Sequence, residues 1–195
     1  KGGDDIFAFD GLSFTETMDR NSIDPSQMFL VESPIADSDV ESAVLTGMTV
    51  VSDRDSTELV YKLSTAVLDK VKSLTALCTK KSQCFIVMSG GVLQDHGGNP
   101  TVDVPASAAE FARTLTLDVT APTLLAFDLN MDTSVLVLTF DEVVFFHSVQ
   151  VEQIAFQETK VGGTTVALSA LTKVSTTTNG VEMSISIAKS DLDAI

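Results

Sequence analysis

Five oxygen-bearing side chains in this sequence could hold a hard cation. Asp95, Asn99 and Asp118 lie in one stretch, Asp128 and Glu142 in the next. Calcium takes roughly six to eight oxygen ligands from carboxylates, amide oxygens and backbone carbonyls, and these residues supply the carboxylate and amide part of such a set. Asp128, Asn130 and Asp132 alternate with apolar residues. No Gly or closing Glu follows at the spacing an EF-hand loop requires. The expectation is therefore a Ca2+ site shared between two modules rather than a loop site. The competing reading is that Asp and Asn cap turns, with Glu142 turned to solvent or to backbone N–H groups.

Other candidate chemistry is sparse. Cys78 and Cys84 stand six apart with no His or further Cys beside them, which excludes a zinc site and points to a local disulfide. Such a bridge suits an oxidising compartment and contributes about 2–3 kcal/mol in the chain-entropy model. His96 and His147 are the only histidines. No Gly-x-Ser-x-Gly elbow accompanies them, no Gly-rich loop carries a phosphate-binding Lys, and no pair of carboxylates is singled out. With no Trp and a single Tyr, an aromatic platform for sugars is poorly supplied. Phe145-Phe146 is either core or an exposed apolar patch for a partner. The patch reading expects Phe146→Asp to block assembly without unfolding the module.

The elements that must position these residues repeat. Residues 12–33 (LSFTETMDRNSIDPSQMFLVES) align with residues 138–159 (LTFDEVVFFHSVQVEQIAFQET) at an offset of 126, matching Phe14 to Phe140, Glu16 to Glu142, Ser22 to Ser148, Gln27 to Gln153 and Glu32 to Glu158. Residues 57–71 align with 181–195, matching Glu58, Leu68 and Asp69 to Glu182, Leu192 and Asp193. Self-similarity at a fixed period marks an array of modules. The second copy stops where the first continues through Cys78, Cys84 and Asp95, so the chain reads as a segment of something longer.

Strand signals dominate within each copy. Runs at 57–63, 117–120, 135–140, 153–157, 165–171 and 181–187 are β-branched or aromatic, several with period-two alternation. Thr178-Asn179-Gly180 and Val161-Gly162-Gly163 read as tight turns. Residues 64–71 place Val67, Leu68 and Val71 at helical spacing, and Ser190 is the expected N-cap of the counterpart helix. Pro122 in Asp118-Val119-Thr120-Ala121-Pro122 marks a short, stiff linker.

Composition excludes several classes. The chain has 195 residues, 44% of them hydrophobic, and a net charge of −15. It can build cores, and it lacks the clustered Lys and Arg that grip nucleic acid. No apolar run approaches the ~18 residues of a membrane helix.

The run 118–144 (DVTAPTLLAFDLNMDTSVLVLTFDEVV) resembles the tandem immunoglobulin-like repeats of large extracellular proteins, the bacterial Ig-like or adhesin type. The shared pattern is Asp-x-Thr-Ala-Pro, an aromatic before Asp, then Leu-x-Phe-Ser/Thr-Glu-x-Val. Residues 92–100 resemble that family's Asp-x-x-Gly-Asn element. Asp141 departs from the usual Ser or Thr, and the local Cys pair is not general to the family. The resemblance implies an all-β fold of tandem Ig-like β-sandwich modules, and calcium at module junctions in several members. Together these readings give module 1 at 1–118, lacking its lead-in strand, and module 2 at 119–195, incomplete, with one short helix in each. The expected function is a non-enzymatic extracellular structural protein, a repeat unit of a rod or filament shaft that associates with neighbouring repeats or with itself. The alternative is the stalk of a cell-surface adhesin or receptor ectodomain. An enzyme with accessory modules of this type comes third.

Overall fold

The computed structural model describes residues 11–35, 37 and 39–195. Two compact units divide the chain, Lys1–Val119 and Thr120–Ile195. Unit 1 contains strands β1 (Leu12–Met18), β2 (Met28–Val31), β3 (Ser42–Val44), β4 (Thr49–Val50), β5 (Ser56–Leu59), β6 (Tyr61–Lys62), β7 (Phe85–Met88) and β8 (Glu110–Phe111), with helix α1 (Thr65–Ser73) between β6 and β7. Unit 2 contains β9 (Leu124–Asn130), β10 (Val135–Val144), β11 (Ala155–Gln157), β12 (Thr165–Ala167), β13 (Lys173–Val174) and β14 (Gly180–Ser186), followed by helix α2 (Lys189–Leu192). The fold is all-β, with several antiparallel sheets. Unit 1 holds the sheet β3-β2-β7-β8 and the pairs β1-β5 and β4-β6; unit 2 holds β13-β14-β10-β9 and the pair β11-β12.

Local sequence explains the elements. In β14, Met183 and Ile185 are buried while Glu182 and Ser186 are exposed, the alternation a half-buried strand imposes. Helix α1 starts at Ser64, whose Oγ accepts from the Val67 N–H at 3.3 Å, satisfying one of the orphan donors of the first turn. Val67 and Val71, one turn apart, are its buried residues, and Lys70 and Lys72 occupy the last turn, where positive charge suits the helix dipole. Unit 1 closes over Met28, Leu59, Val92 and Leu93, and unit 2 over Met183 and Ile185, all at 0% exposure.

Strand register repeats between the units. β1 pairs with β5 through Leu12↔Leu59 and Ser13↔Glu58, with a bulge before Met18↔Ser56. β10 pairs with β14 through Leu138↔Met183 and Thr139↔Glu182, with a bulge before Val144↔Gly180. Each pair in unit 2 is the unit 1 pair moved by 126 on one strand and 124 on the other. The β2–β3 register (Leu30↔Ala43) recurs in β11–β12 (Phe156↔Val166), and β4–β6 (Val50↔Tyr61) recurs in β13–β14 (Val174↔Ile185). A single-turn 3-10 helix precedes β2 at Pro25–Gln27 and β11 at Val151–Gln153.

Several local expectations are corrected. Residues 117–120 form no strand, because Pro122 and the preceding residues carry no ladder partner. The expected strand at 165–171 ends at Ala167, and that at 153–157 begins only at Ala155, after the 3-10 turn. The run 57–63 splits into β5 and β6, which pair with different strands. Ser190 does not cap α2: the cap position is Ala188, which has no side chain to donate or accept. Ala188 stands at the position that matches Ser64, which does cap its helix, and it carries no capping oxygen. Asn179-Gly180 makes no tight turn; Gly180 opens β14, and the Asn179 side chain is used instead. Gly162 and Gly163 do turn the chain between β11 and β12, with φ of +78° and +85°, a region open to glycine at no steric cost.

Candidate functional site

Of the five predicted cation ligands, Asp95, Asn99 and Asp118 are engaged within unit 1. The two Asp95 carboxylate oxygens each accept from Asn99, one from its N–H at 2.7 Å and one from its side-chain amide at 2.7 Å. The Asn99 side-chain amide, then its N–H, hold the Asp95 carboxyl below the usual carboxylate range. This is a tight Asx-type turn over Gly97 and Gly98. Asp118 pairs with Lys72 at 2.5 Å, both side chains largely shielded. Asp128 lies exposed on β9 opposite Val137. Glu142 is buried on β10, 9% exposed. Among the described residues no group of three or more His, Cys, Asp or Glu side chains is gathered in a metal-holding arrangement.

Cys78 and Cys84 form a disulfide, Cα–Cα 4.3 Å. Both half-cystines are buried in the unit 1 core. The bridge closes a turn in which the Cys78 N–H donates to the Gln83 carbonyl at 2.7 Å, just before β7. Immediately upstream, Glu41 accepts from the Thr75 N–H and hydroxyl and from the N–H groups of Ala76 and Leu77, at 2.7–2.9 Å. Burial pushes the Glu41 carboxyl up, but the N–H groups of Ala76, Thr75 and Leu77 outweigh it and hold it down at about 2. Nothing in the sequence signals this clamp, because its partners are backbone groups 34–36 residues away.

The Phe pair divides. Phe145 is 44% exposed, whereas Phe146 packs against the unit 2 core and stacks on His147 with centroids 3.8 Å apart. Phe146→Asp is accordingly expected to destabilise unit 2 by about 1 kcal/mol through lost apolar burial, while Phe145→Asp stays within about 0.5 kcal/mol. Denaturant melts followed by circular dichroism check this; equal effects from both would show that the two rings share one environment.

Behind the Phe pair is a polar clamp found in both units. The Phe146 N–H donates to Asn179 Oδ1 at 3.3 Å, and the Arg20 N–H, its counterpart, donates to Asp55 Oδ1 at 3.0 Å. Likewise Ser184 N–H donates to Thr176 Oγ1 at 2.7 Å and Val60 N–H to Ser52 Oγ at 2.8 Å. Equivalent side chains thus hold equivalent loops although Arg20 and Phe146, or Asp55 and Asn179, differ chemically. In unit 1 the clamp carries more charge: His96 Nε2 lies 2.7 Å from Asp55, and the Arg20 guanidinium donates to the Ser52 carbonyl. Burial, then Asp19 and Asp55, push the Tyr61 hydroxyl up to about 12. In unit 2, Asp191 accepts from the Thr172 hydroxyl at 2.7 Å and from Ser169 N–H and hydroxyl at 2.9 Å, tying α2 to the loop after β12.

No protein-family model, no curated protein and no solved structure matches this chain. The reading of the site therefore rests on its own geometry. A cleft of about 360 Å³ in unit 1 lies between β1 and β7–β8, lined by Leu12, Phe14, Leu30, Ile86 and Phe111 among others. Lys81 sits 5.3 Å above the Phe111 ring at its margin. An apolar trough bounded by strand edges can bind another apolar segment. The features that recur across the units are strand edges and the hydrogen bonds that fix them, none of which is visible as a sequence motif.

Proposed function

We propose that this chain is a repeat segment of a non-enzymatic extracellular structural protein, a rod or filament shaft of tandem Ig-like β-sandwich modules. The observation that carries the reading is the recurrence of one strand register, bulge included, in both units. Two unrelated β units have no reason to agree in the position of a bulge, since a one-residue slip in either would reverse every side chain. The agreement of the loop clamps at Asp55 and Asn179 supports the same conclusion. Repetition of a module serves load-bearing and spacing, because each copy adds length while contacting only its neighbours. The buried disulfide is compatible with an oxidising location.

The test is the mass of the native species on a denaturing gel, with and without reductant. A chain several times larger than 20.7 kDa is expected. A native chain of 20.7 kDa would overturn the shaft reading. Large native chains that fail to self-assemble but bind cells would favour the stalk of an adhesin or receptor.

Calcium enters this reading with a cost that the geometry makes explicit. A cation at Asp118 must compete with Lys72, and one at Asp95 must displace Asn99. If calcium belongs to the shaft, titration raises the melting temperature, and Lys72→Met, which removes the ammonium paired with Asp118, strengthens binding. Calorimetry showing no heat, together with no shift in melting in either protein, removes calcium from the proposal.

A further inference from the structure

In unit 1 the strand β2 is paired on both edges. β3 lies on one side and β7 on the other, with β7 in the register Met28↔Met88, Phe29↔Val87, Leu30↔Ile86 and Val31↔Phe85. Its counterpart in unit 2, β11, pairs only with β12 among the described residues. The difference appears in burial. Met28 and Leu30 are 0% and 3% exposed, whereas Ile154 and Phe156 at the corresponding positions are only half-buried. Phe156 meets Phe127 edge-on at 6.4 Å, and Phe127 is itself 57% exposed.

The backbone of β11 is set for a second ladder. Leu168 N–H donates to the Ile154 carbonyl and Glu158 N–H to the Thr164 carbonyl, so Ile154, Phe156 and Glu158 direct their backbone groups to β12. Antiparallel alternation then turns the N–H and C=O of Ala155 and Gln157 to the other edge. Phe29 and Val31, their counterparts, are the residues that face β7. Natural sheets blunt an unpaired edge with Pro, Lys or an inward charge; the segment Gln153-Ile154-Ala155-Phe156-Gln157 has none of these.

Resting on the repeat reading above, we propose that the free edge of β11 is a strand-acceptor site. Its occupant is an extended, uncharged segment of β7 chemistry, four residues with large side chains lying antiparallel to β11. In the unit 1 register, such a strand sets residues like Ile86 and Met88 beside Phe156 and Ile154 and bonds its backbone to Ala155 and Gln157. Main-chain hydrogen bonds supply affinity in this mode of recognition, and the alternating side chains supply specificity.

The probe is a fluorescein-labelled peptide of residues 82–91 carrying Cys84→Ser, titrated into the 195-residue chain. Saturable one-to-one binding is expected, with slowed amide exchange at Ala155 and Gln157. N-methylation of the peptide at Val87, whose N–H faces the acceptor, is expected to weaken binding at least tenfold. N-methylation at Ile86, whose N–H faces the opposite edge, is expected to change it less than threefold. Ala155→Pro in the protein removes the acceptor's own donor, and Pro is tolerated where an edge N–H faces solvent, so this variant should keep the β12 pairing and lose the peptide. Absence of binding, equal tolerance of both methylations, protection confined to unit 1, or self-association through β11 that excludes the peptide would each overturn the proposal. The native mass tests the shaft reading separately: a 20.7 kDa native chain that still binds the peptide in register would sink the shaft and leave the acceptor edge standing.

Discussion

Leu59→Ala is expected to cost about 2–5 kcal/mol in unit 1 and nothing measurable in unit 2. Leu59 is 0% exposed at the end of β5, opposite Leu12. Its counterpart Met183 is also 0% exposed, opposite Leu138 on β10, so Met183→Ala is expected to produce a loss of similar size in the other unit. Each truncation removes transfer free energy and leaves a cavity that packed neighbours only partly fill. The two cores share no buried residue, and effects at sites without common partners do not couple. The chain supplies its own reporter, since it has no Trp and its single tyrosine, Tyr61, lies in the unit 1 core. Tyrosine fluorescence should therefore shift its denaturation midpoint in Leu59→Ala and hold it in Met183→Ala, while circular dichroism registers both. A tyrosine midpoint that moves equally in the two variants would mean that the chain unfolds as one cooperative body, contrary to this account.

Glu41→Gln is the second large effect, and it depends on pH. The carboxylate gathers three backbone N–H groups and one hydroxyl, and its pKa falls to about 2 in the folded chain against about 4.3 for an unfolded Glu. A folded pKa below the unfolded one contributes stability that is fully present above the unfolded value and is lost as pH falls through the folded value. The wild-type chain is thus expected to lose this contribution between about pH 4.3 and pH 2. Hydrogen bonds to a charged group contribute about 1.5–3 kcal/mol. Partial solvent exposure places Glu41 at the low end, about 1.5 kcal/mol at neutral pH. The glutamine variant keeps one acceptor oxygen and turns an NH2 group toward backbone donors, so it should start lower and show a flatter acid limb. Urea melts at pH 7 and pH 3 measure the difference; parallel pH profiles for the two proteins would show that the clamp contributes nothing through its charge.

Both predictions rest on contacts that sequence alone made visible to different degrees. Alternation identified Val181, Met183, Ile185 and Ile187 as one face of a strand, because a two-residue period is a local property of the chain. The pairing of Leu59 with Leu12 was not legible, because likeness between two windows does not say which strands pair. β9 is not legible in the sequence: it is exposed along nearly its whole length and so lacks the stamp of a buried face. The Ser190 cap failed for the opposite reason. A capping residue type was present, but the helix begins at Lys189 with its cap position at Ala188, two residues before Ser190, since packing against the strands rather than local propensity fixes the start of so short a helix.

The sequence by itself determined the all-β class, the helix over 64–71 and the nearness of Cys78 to Cys84. Each of these follows from spacing within a short window. Only the tertiary structure decided which carboxylates are already engaged, that Glu41 holds the segment 75–77, that Phe146 faces inward while Phe145 does not, and that β11, among the described residues, pairs on one edge where β2 pairs on two. Those properties depend on backbone N–H and C=O groups, which every residue carries alike. A sequence cannot mark which of them will find a partner until the chain has brought distant segments together.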